Sequence, residues 1–271
     1  MLRVPTAAGD VWFKAALAGL GHDVGVTVVL MRVQPDAVLE PLAVDLERGW
    51  ILLPDGGERL REVLDREKHP RRWLEIMPLY AELQIAAAEH LDELLAAGLP
   101  DYRLARVPEI AREIAAKLGV DAPGRESVRE LCAELAGLGI PESVQHDDLH
   151  DGNVFVRPGG GYAIFDWGDS CASHPFASLV VGLRGIAYRF ELGENDPDLE
   201  RARDAYLEPW SRFAPRAELL RAVELAAVVG GLSRASAWFL AYSDDEASDE
   251  AVESARWWFD EFSRGVRELA R

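Results

Sequence analysis

One short polar segment limits how the chain around it can fold. Residues 146–153 read His-Asp-Asp-Leu-His-Asp-Gly-Asn, which places three carboxylates, two imidazoles and one amide within eight positions. A polar run that contains glycine and lacks apolar periodicity is typical of an irregular loop. Apolar residues with strand character begin only after it. The sequence therefore predicts a polar loop that leads directly into β structure.

The residues after this loop have the pattern of a β-hairpin. Two apolar segments, 154–157 and 162–165, flank the turn sequence Pro-Gly-Gly-Gly at 158–161. Two short strands separated by a glycine-rich loop of this length predict an antiparallel pair. We therefore expect a hairpin with a four-residue loop.

The expected register of this hairpin brings two oxygen-bearing side chains together. If Arg157 pairs with Tyr162, then Asn153 lies directly opposite Asp166. Cross-strand partners are about 4.5–5.5 Å apart at Cα. An amide oxygen and a carboxylate held at this spacing are the hard oxygen ligands that Mg²⁺ binds in proteins. The sequence predicts a magnesium site at Asn153 and Asp166.

Asp148 lies on the predicted loop, five residues before Asn153. A carboxylate in this position can accept the proton of a hydroxyl nucleophile while a metal ion holds phosphate groups. We therefore interpret Asp148 as a catalytic base. The neighbouring side chains of Asp147, His150 and Asp151 fit either solvated positions or substrate contacts, and Asp169 fits either a metal contact or a helix cap.

The N-terminal part of the chain has strand character. Residues 2–4 and 11–14 flank a turn and predict one hairpin, and residues 38–44 and 50–53 predict a second pair of strands. The β-branched residues of the segment 22–33 favour a strand, although its length also fits a helix.

Helical patterns dominate after the breaker Pro-Asp-Gly-Gly at 54–57. Pro78 is expected to open a helix that Gly98 closes. Further helices are predicted at 108–118, 126–136, 176–191, 199–213, 216–242 and 247–270. We therefore expect an α+β molecule of two lobes, a small sheet-containing lobe at 1–54 and a helical lobe at 55–271.

Composition disfavours several classes of function. The formal net charge is −18, from 29 basic and 47 acidic residues, which disfavours nucleic acid. Such a charge fits either solubility alone or the attraction of cationic ligands. No apolar run approaches the roughly 18 residues of a membrane span. Two cysteines and the lack of a signal-peptide pattern predict a cytoplasmic protein.

Two motifs resemble those of a known family. The pattern His146-x-Asp148-x4-Asn153, followed by Ile-Phe-Asp-Trp at 164–167, is similar to the catalytic and metal-binding motifs of the aminoglycoside phosphotransferase family, whose members have a protein-kinase-like fold. The resemblance covers most of the chain. It implies that Asp148 is the base, that Asn153 and Asp166 bind Mg²⁺, and that His146 supports the catalytic loop.

The same resemblance implies a nucleotide site in the N-terminal lobe. Lys14 ends a strand where the kinase fold places the lysine that contacts the α- and β-phosphates. Asp23 takes the place of a glutamate that pairs with this lysine, and backbone groups near Leu53 would meet the nucleotide base. The family's first strand and phosphate-covering loop have no counterpart before Lys14. Either the nucleotide lobe is incomplete or translation starts further upstream.

The implied reaction is magnesium-dependent transfer of the γ-phosphoryl group of ATP or GTP to a hydroxyl of a small molecule. An amino sugar or another cationic alcohol would suit the acidic composition. An alternative is a catalytically weak or inactive nucleotide-binding protein on the same fold. A third is an HD-type phosphohydrolase built from the His–Asp pairs at 22–23, 146–147 and 150–151, which is disfavoured because such sites need ligands on packed helices. The residues that contact the acceptor, and the oligomeric state, do not follow from the sequence.

Overall fold

The computed structural model describes residues 1–7, 9–240 and 249–270. A small antiparallel sheet lies near the N-terminus, and helices make up most of the later chain. The predicted α+β class is therefore confirmed. In this described part, no helix is both long enough and apolar enough to cross a bilayer.

Four strands form the N-terminal sheet. They are β1 (Leu2–Thr6), β2 (Gly9–Ala15), β3 (Ala43–Asp45) and β4 (Trp50–Pro54), in the order β1-β2-β4-β3. Both predicted strand pairs are present, and all neighbouring strands are antiparallel.

The predicted strand at 38–44 is wrong in its first part. Val38 forms an isolated bridge with Ile164, far along the chain, instead of extending β3. Pro41 follows shortly after, and proline has no N–H to donate to a strand ladder. The segment before Ala43 therefore links the sheet to the later hairpin.

Residues His22–Val33 form a helix, α1, so the preference for a strand in this segment is wrong. Val24 packs in a small core beneath the sheet, while Val26 and Leu30 pack in the main core. All three are fully buried. Burial on both sides outweighs the intrinsic helix penalty of β-branched residues, which is about 0.7 kcal/mol or less per residue. The helix places Asp23 in its first turn.

Nine further helices follow in the described residues. They are α2 (Leu60–Glu67), α3 (Trp73–Ala88), α4 (Leu91–Ala96), α5 (Val107–Leu118), α6 (Arg125–Gly137), α7 (Leu179–Phe190), α8 (Pro197–Leu207), α9 (Arg216–Leu240) and α10 (Asp249–Leu269). The predictions for α5 and α6 are confirmed. Short 3₁₀ turns replace the predicted start of α7 and the predicted end of α8. The expected end of α9 at Tyr242 and start of α10 at Ala247 lie outside the described residues.

Pro78 does not open a helix, because it lies inside α3. An internal proline costs about 3 kcal/mol. The fully buried side chains of Ile76, Met77 and Tyr80 offset this cost. Gly98 closes α4 rather than α3, and it does so with a φ of 97°.

The hairpin after the polar loop is tighter than predicted. β7 (Val154–Val156) and β8 (Tyr162–Ile164) pair with Val154 opposite Ile164, and β5 (Glu58–Arg59) extends this sheet next to β7. The N–H of Arg157 donates to the carbonyl of Gly161 at 3.0 Å, so the loop has three residues and the predicted register is wrong by one. Gly161 has a φ of 84°, a conformation that permits the tighter turn.

The segment after β4 packs closely on this hairpin at Gly57, and substitution of this glycine tests the packing. Its φ is 97°, and a Cβ there would lie 2.5 Å from the carbonyl oxygen of Val156. Gly159 has a similar φ of 91° with nothing within 4 Å of the added atom. We expect Gly57→Ala to lower the free energy of unfolding by about 3 kcal/mol or more and Gly159→Ala by about 1–2 kcal/mol. Urea denaturation measures both, and equal losses would contradict the close packing at Gly57.

Candidate active site

Two polar segments run side by side between two short ladders. β6 (Ser143–Gln145) pairs with β9 (Cys171–Ser173) at one end, and β7 pairs with β8 at the other. The predicted loop, residues 146–153, connects β6 to β7, and residues 165–170 connect β8 to β9. The hairpin therefore brings the two motifs together, although its register differs from the prediction.

His146 is fully buried and anchors the loop. Its backbone N–H donates to the Tyr80 hydroxyl at 2.9 Å. Nδ1 accepts from the backbone N–H of Asp148 at 3.3 Å, which leaves Nε2–H to donate to the carbonyl of Phe165 at 3.0 Å. Burial lowers the pKa of His146, so the ring is neutral. These contacts support the loop from the core side.

Asp148 is held by several partners and remains reachable. The amide nitrogen of Asn153 donates to the Asp148 backbone carbonyl at 3.0 Å and to Oδ2 at 3.1 Å. Nε2 of His150 lies 3.4 Å from Oδ2, and the side chain of Asp148 is 30% exposed. Burial works to raise the pKa of Asp148, but the hydrogen bond from His150 and the charge of Arg234 outweigh it, so the pKa lies below its ordinary value. The carboxylate is therefore ionised at neutral pH and open to an incoming group.

Asn153 and Asp166 are the two candidate ligands for a cation. Because the amide nitrogen of Asn153 is engaged with Asp148, its oxygen is the atom left for a metal. The side chain of Asp166 is 41% exposed. Phe165, not Asp166, lies opposite Asn153, since its N–H donates to the Asn153 carbonyl at 3.2 Å. Asp166 follows directly, so the two ligands lie diagonally rather than face to face.

The chemistry of these donors fits Mg²⁺. In the described part of the chain, no three His, Cys, Asp or Glu side chains are grouped so that they could hold a metal ion. The His–Asp pairs of the HD-type alternative therefore do not form a cluster there. A cation bound by one amide oxygen and one carboxylate would complete its shell with phosphate and water oxygens, which is the usual environment of Mg²⁺ beside a nucleotide.

Lys14 connects the sheet to this site. Its Nζ lies 2.6 Å from Asp23 Oδ2 and 2.6 Å from Asp166 Oδ1. Burial works to lower the pKa of Lys14, but the charges of Asp23 and Asp166 outweigh it and raise the pKa above its ordinary value. The predicted pair of Lys14 with Asp23 is present, and the same lysine also reaches the candidate metal ligand.

A cavity of about 330 Å³ lies between the sheet and the hairpin, and Leu53, Trp12 and Arg59 contribute to its wall. Phe155 and Phe165 also line it, and their rings stack with centroids 4.3 Å apart. A partly apolar cavity of this volume suits a planar ring. Leu53, whose neighbouring backbone groups are predicted to meet the nucleotide base, lines this cavity.

Arg234 on α9 is a site residue that sequence reasoning missed. It is buried, and its Nη1 donates to the Asp147 carbonyl at 2.8 Å and to Asp169 Oδ2 at 3.0 Å, and lies 3.7 Å from Asp148 Oδ1. Asp169 therefore pairs with an arginine rather than serving as a cap. The available signal was a lone arginine within a run of glycine, alanine, serine and apolar residues at 229–240.

The remaining loop carboxylates are not solvated. Asp147 is buried, with Ser233 Oγ donating to Oδ1 at 3.3 Å, and burial raises its pKa to about 8. Asp151 forms ion pairs with Arg189 at 2.6 Å and with Arg61 at 3.3 Å. A second cavity, of about 740 Å³, borders Asp151 and His150.

A comparison with known families finds one that matches most of the chain. The sequence model of the phosphotransferase enzyme family matches residues 25–218, a range that excludes Lys14 and Asp23. No curated protein matches the chain in sequence.

Solved structures of small-molecule kinases are among those similar to this chain. An ethanolamine kinase of Plasmodium vivax is 10% identical with a TM-score of 0.65, covering 97% of this chain and 78% of its own. The choline kinase LicA of Streptococcus pneumoniae is 15% identical with a TM-score of 0.61, and the alignment covers 99% of this chain and 89% of LicA. The macrolide 2'-phosphotransferase MphH of Brachybacterium faecium is 18% identical with a TM-score of 0.57, and the alignment covers 95% of this chain and 87% of MphH. At these identities the likeness shows the fold, which is the predicted protein-kinase-like one.

The buried carboxyl of Asp147 makes stability depend on pH. An unfolded aspartate ionises near pH 3.9, whereas burial raises the pKa of Asp147 to about 8 in the folded chain. Folding therefore binds a proton between these values, and stability falls as pH rises across that window. We expect Asp147→Asn to raise the melting temperature most at pH 8 and little at pH 4.5. Thermal unfolding across pH measures this, with exposed Asp121→Asn as control; a pH-independent difference would argue against a protonated Asp147.

Proposed function

Because the chain belongs to the phosphotransferase enzyme family, we propose that it transfers the γ-phosphoryl group of ATP or GTP to a hydroxyl of a small molecule in a magnesium-dependent reaction. The observation that carries this proposal is the position of Asp148. An ionised, partly exposed carboxylate is held by Asn153 on one side and by His150 on the other. This is the arrangement that a proton acceptor for a hydroxyl requires.

Asn153 and Asp166 would hold the Mg²⁺. When bound, the ion would neutralise negative charge on the phosphate oxygens and orient them for transfer. Lys14, which contacts Asp166, would lie beside the same phosphates and stabilise their charge. Catalysis would then consist mainly of positioning and electrostatic stabilisation, with Asp148 directing the acceptor hydroxyl.

The nucleotide base is proposed to enter the 330 Å³ cavity at Leu53, where the stacked rings of Phe155 and Phe165 supply an apolar wall. In this assignment residues 1–54 act as the nucleotide-binding lobe and residues 55–271 carry the catalytic loop and the acceptor site. The match in fold to kinases solved with AMP and AMP-PNP supports a nucleotide as the donor.

The acceptor is proposed to occupy the 740 Å³ cavity next to His150. Arg61 lines both cavities, so donor and acceptor would meet at this residue. Tyr188 lies on the rim of the second cavity and is 90% exposed, which leaves its ring free to stack on a ligand. A cationic alcohol such as an amino sugar or amino alcohol fits the net charge of −18. The similar structures of an ethanolamine kinase and a choline kinase support the same class.

Replacing the proposed base tests the reaction. We expect Asp148→Asn to lower kcat by at least about 100-fold, because general-base catalysis contributes about 10²–10⁴-fold. Turnover of ATP and GTP is measured against a panel of small alcohols, with magnesium present or removed by chelator. Asp204→Asn, which alters a surface ion pair on α8, is the control. Equal turnover by the Asp148 variant and the wild type would show that Asp148 is not the catalytic base.

Replacing the exposed aromatic residue tests the acceptor cavity. We expect Tyr188→Ala to raise KM for the acceptor by about fivefold to tenfold, because a stacked ring contributes about 1 kcal/mol. The nucleotide KM should not change, since Tyr188 does not line the nucleotide cavity. Phe213→Ala removes another exposed ring and serves as control. An unchanged acceptor KM would place the acceptor elsewhere.

A further inference from the structure

Both carboxylate oxygens of Asp23 are engaged, and they bind different kinds of donor. Oδ2 lies 2.6 Å from Nζ of Lys14, and Oδ1 accepts the backbone N–H of Trp167 at 2.8 Å. The side chain is almost completely buried. An ion pair with a lysine tolerates some variation in length, because the lysine is flexible. A bond to a backbone N–H does not, because the backbone has a fixed position.

The bond to Trp167 acts on a turn of unfavourable conformation. Asp166, the preceding residue, has φ 69° and ψ 66°, in the left-handed region. For a residue other than glycine this conformation costs about 1–3 kcal/mol and persists only where its surroundings enforce it. Two contacts do so here, the bond from Lys14 to Asp166 Oδ1 and the bond between Asp23 and the N–H of Trp167. Lys14, Asp23 and the 166–167 turn form a closed ring of interactions.

The first turn of α1, which carries Asp23, cannot move away from this turn without disturbing α4. A Cβ on Gly25 would lie 2.9 Å from the carbonyl oxygen of Ala97, and a Cβ on Gly98 would lie 3.3 Å from Cβ of His22. The backbone of α1 is therefore packed directly against the end of α4. This packing restrains the position of α1 and with it the distance from Asp23 to the 166–167 turn.

We propose that Asp23 is a positioning residue that sets the backbone conformation of Asp166 through the N–H of Trp167, and that glutamate cannot replace it. In an ion-pair role alone, glutamate keeps the charge and works, whereas asparagine fails. In the positioning role, asparagine preserves the conformation of the 166–167 turn and glutamate does not. Asparagine keeps one oxygen for Trp167, because Lys14 retains Asp166 as a partner while the N–H of Trp167 has no other acceptor in the described contacts.

Hydrogen–deuterium exchange of the peptide that covers residues 164–169 tests the proposal without substrate, nucleotide or metal. We expect Asp23→Glu to exchange roughly tenfold faster than wild type, since one buried hydrogen bond is lost, and Asp23→Asn to stay within about twofold. Asp196→Glu is the matched control, because Asp196 also accepts a backbone N–H, at the start of α8. It should leave the 164–169 peptide unchanged.

A second measurement concerns the reaction and rests on the proposed function. We expect the magnesium concentration for half-maximal turnover to rise at least about fivefold in Asp23→Glu, because Asp166 loses its orientation. A general loss of stability would not move this concentration. If the wild type phosphorylates no acceptor, the proposed function fails while the exchange result still decides the structural role.

Wild-type exchange in Asp23→Glu would overturn the proposal, and so would fast exchange in Asp23→Asn with slow exchange in Asp23→Glu. Should the glutamate variant fail to fold, Asp23→Asn and Asp23→Ala decide the same point. Alanine removes both bonds and asparagine only the one to Lys14, so equal exchange in these two variants would overturn the proposal.

Discussion

The polar loop holds its shape because one buried residue, His146, connects it to the helical core through its backbone and to the neighbouring polar segment through its ring. His146 is fully buried, and its three hydrogen-bonding groups reach Tyr80 on α3, the carbonyl of Phe165 and the backbone of Asp148. The Tyr80 hydroxyl in turn bonds with Ser178 at 2.7 Å, so the loop, α3 and the segment before α7 are joined. A reactive carboxylate on an irregular loop needs such an anchor, because loop backbone without fixed partners would not hold it in one place.

The charges around the site are unbalanced in a way that suits a divalent cation. Lys14 faces two carboxylates, those of Asp23 and Asp166. Arg234 faces three, those of Asp147, Asp148 and Asp169. Burial keeps Asp147 protonated below about pH 8. The carboxylates therefore outnumber the two basic side chains even with Asp147 protonated. Such a site attracts a divalent cation, and it repels phosphate groups when no cation is bound.

The sequence pattern within short segments predicted the features that neighbouring residues determine. Alternation and turn residues predicted both hairpins, and motif spacing predicted that Asp148, Asn153 and Asp166 lie on neighbouring segments. The register was wrong because Gly161 adopts a left-handed φ that shortens the loop, a choice that three consecutive glycines leave open. Arg234 could not be placed, because its partners lie more than sixty residues earlier in the chain and only α9 packing brings it to them.

The misassigned segment 22–33 shows why tertiary packing and function are linked here. Valine and threonine in sequence favour a strand, but the segment must bury side chains on both the sheet side and the helical side, which a helix of twelve residues does. A helix also presents its first turn end-on to the 166–167 turn, so that a short carboxylate at Asp23 can reach a backbone N–H. In the first turn of this helix, a single aspartate couples the sheet lysine to the 166–167 turn.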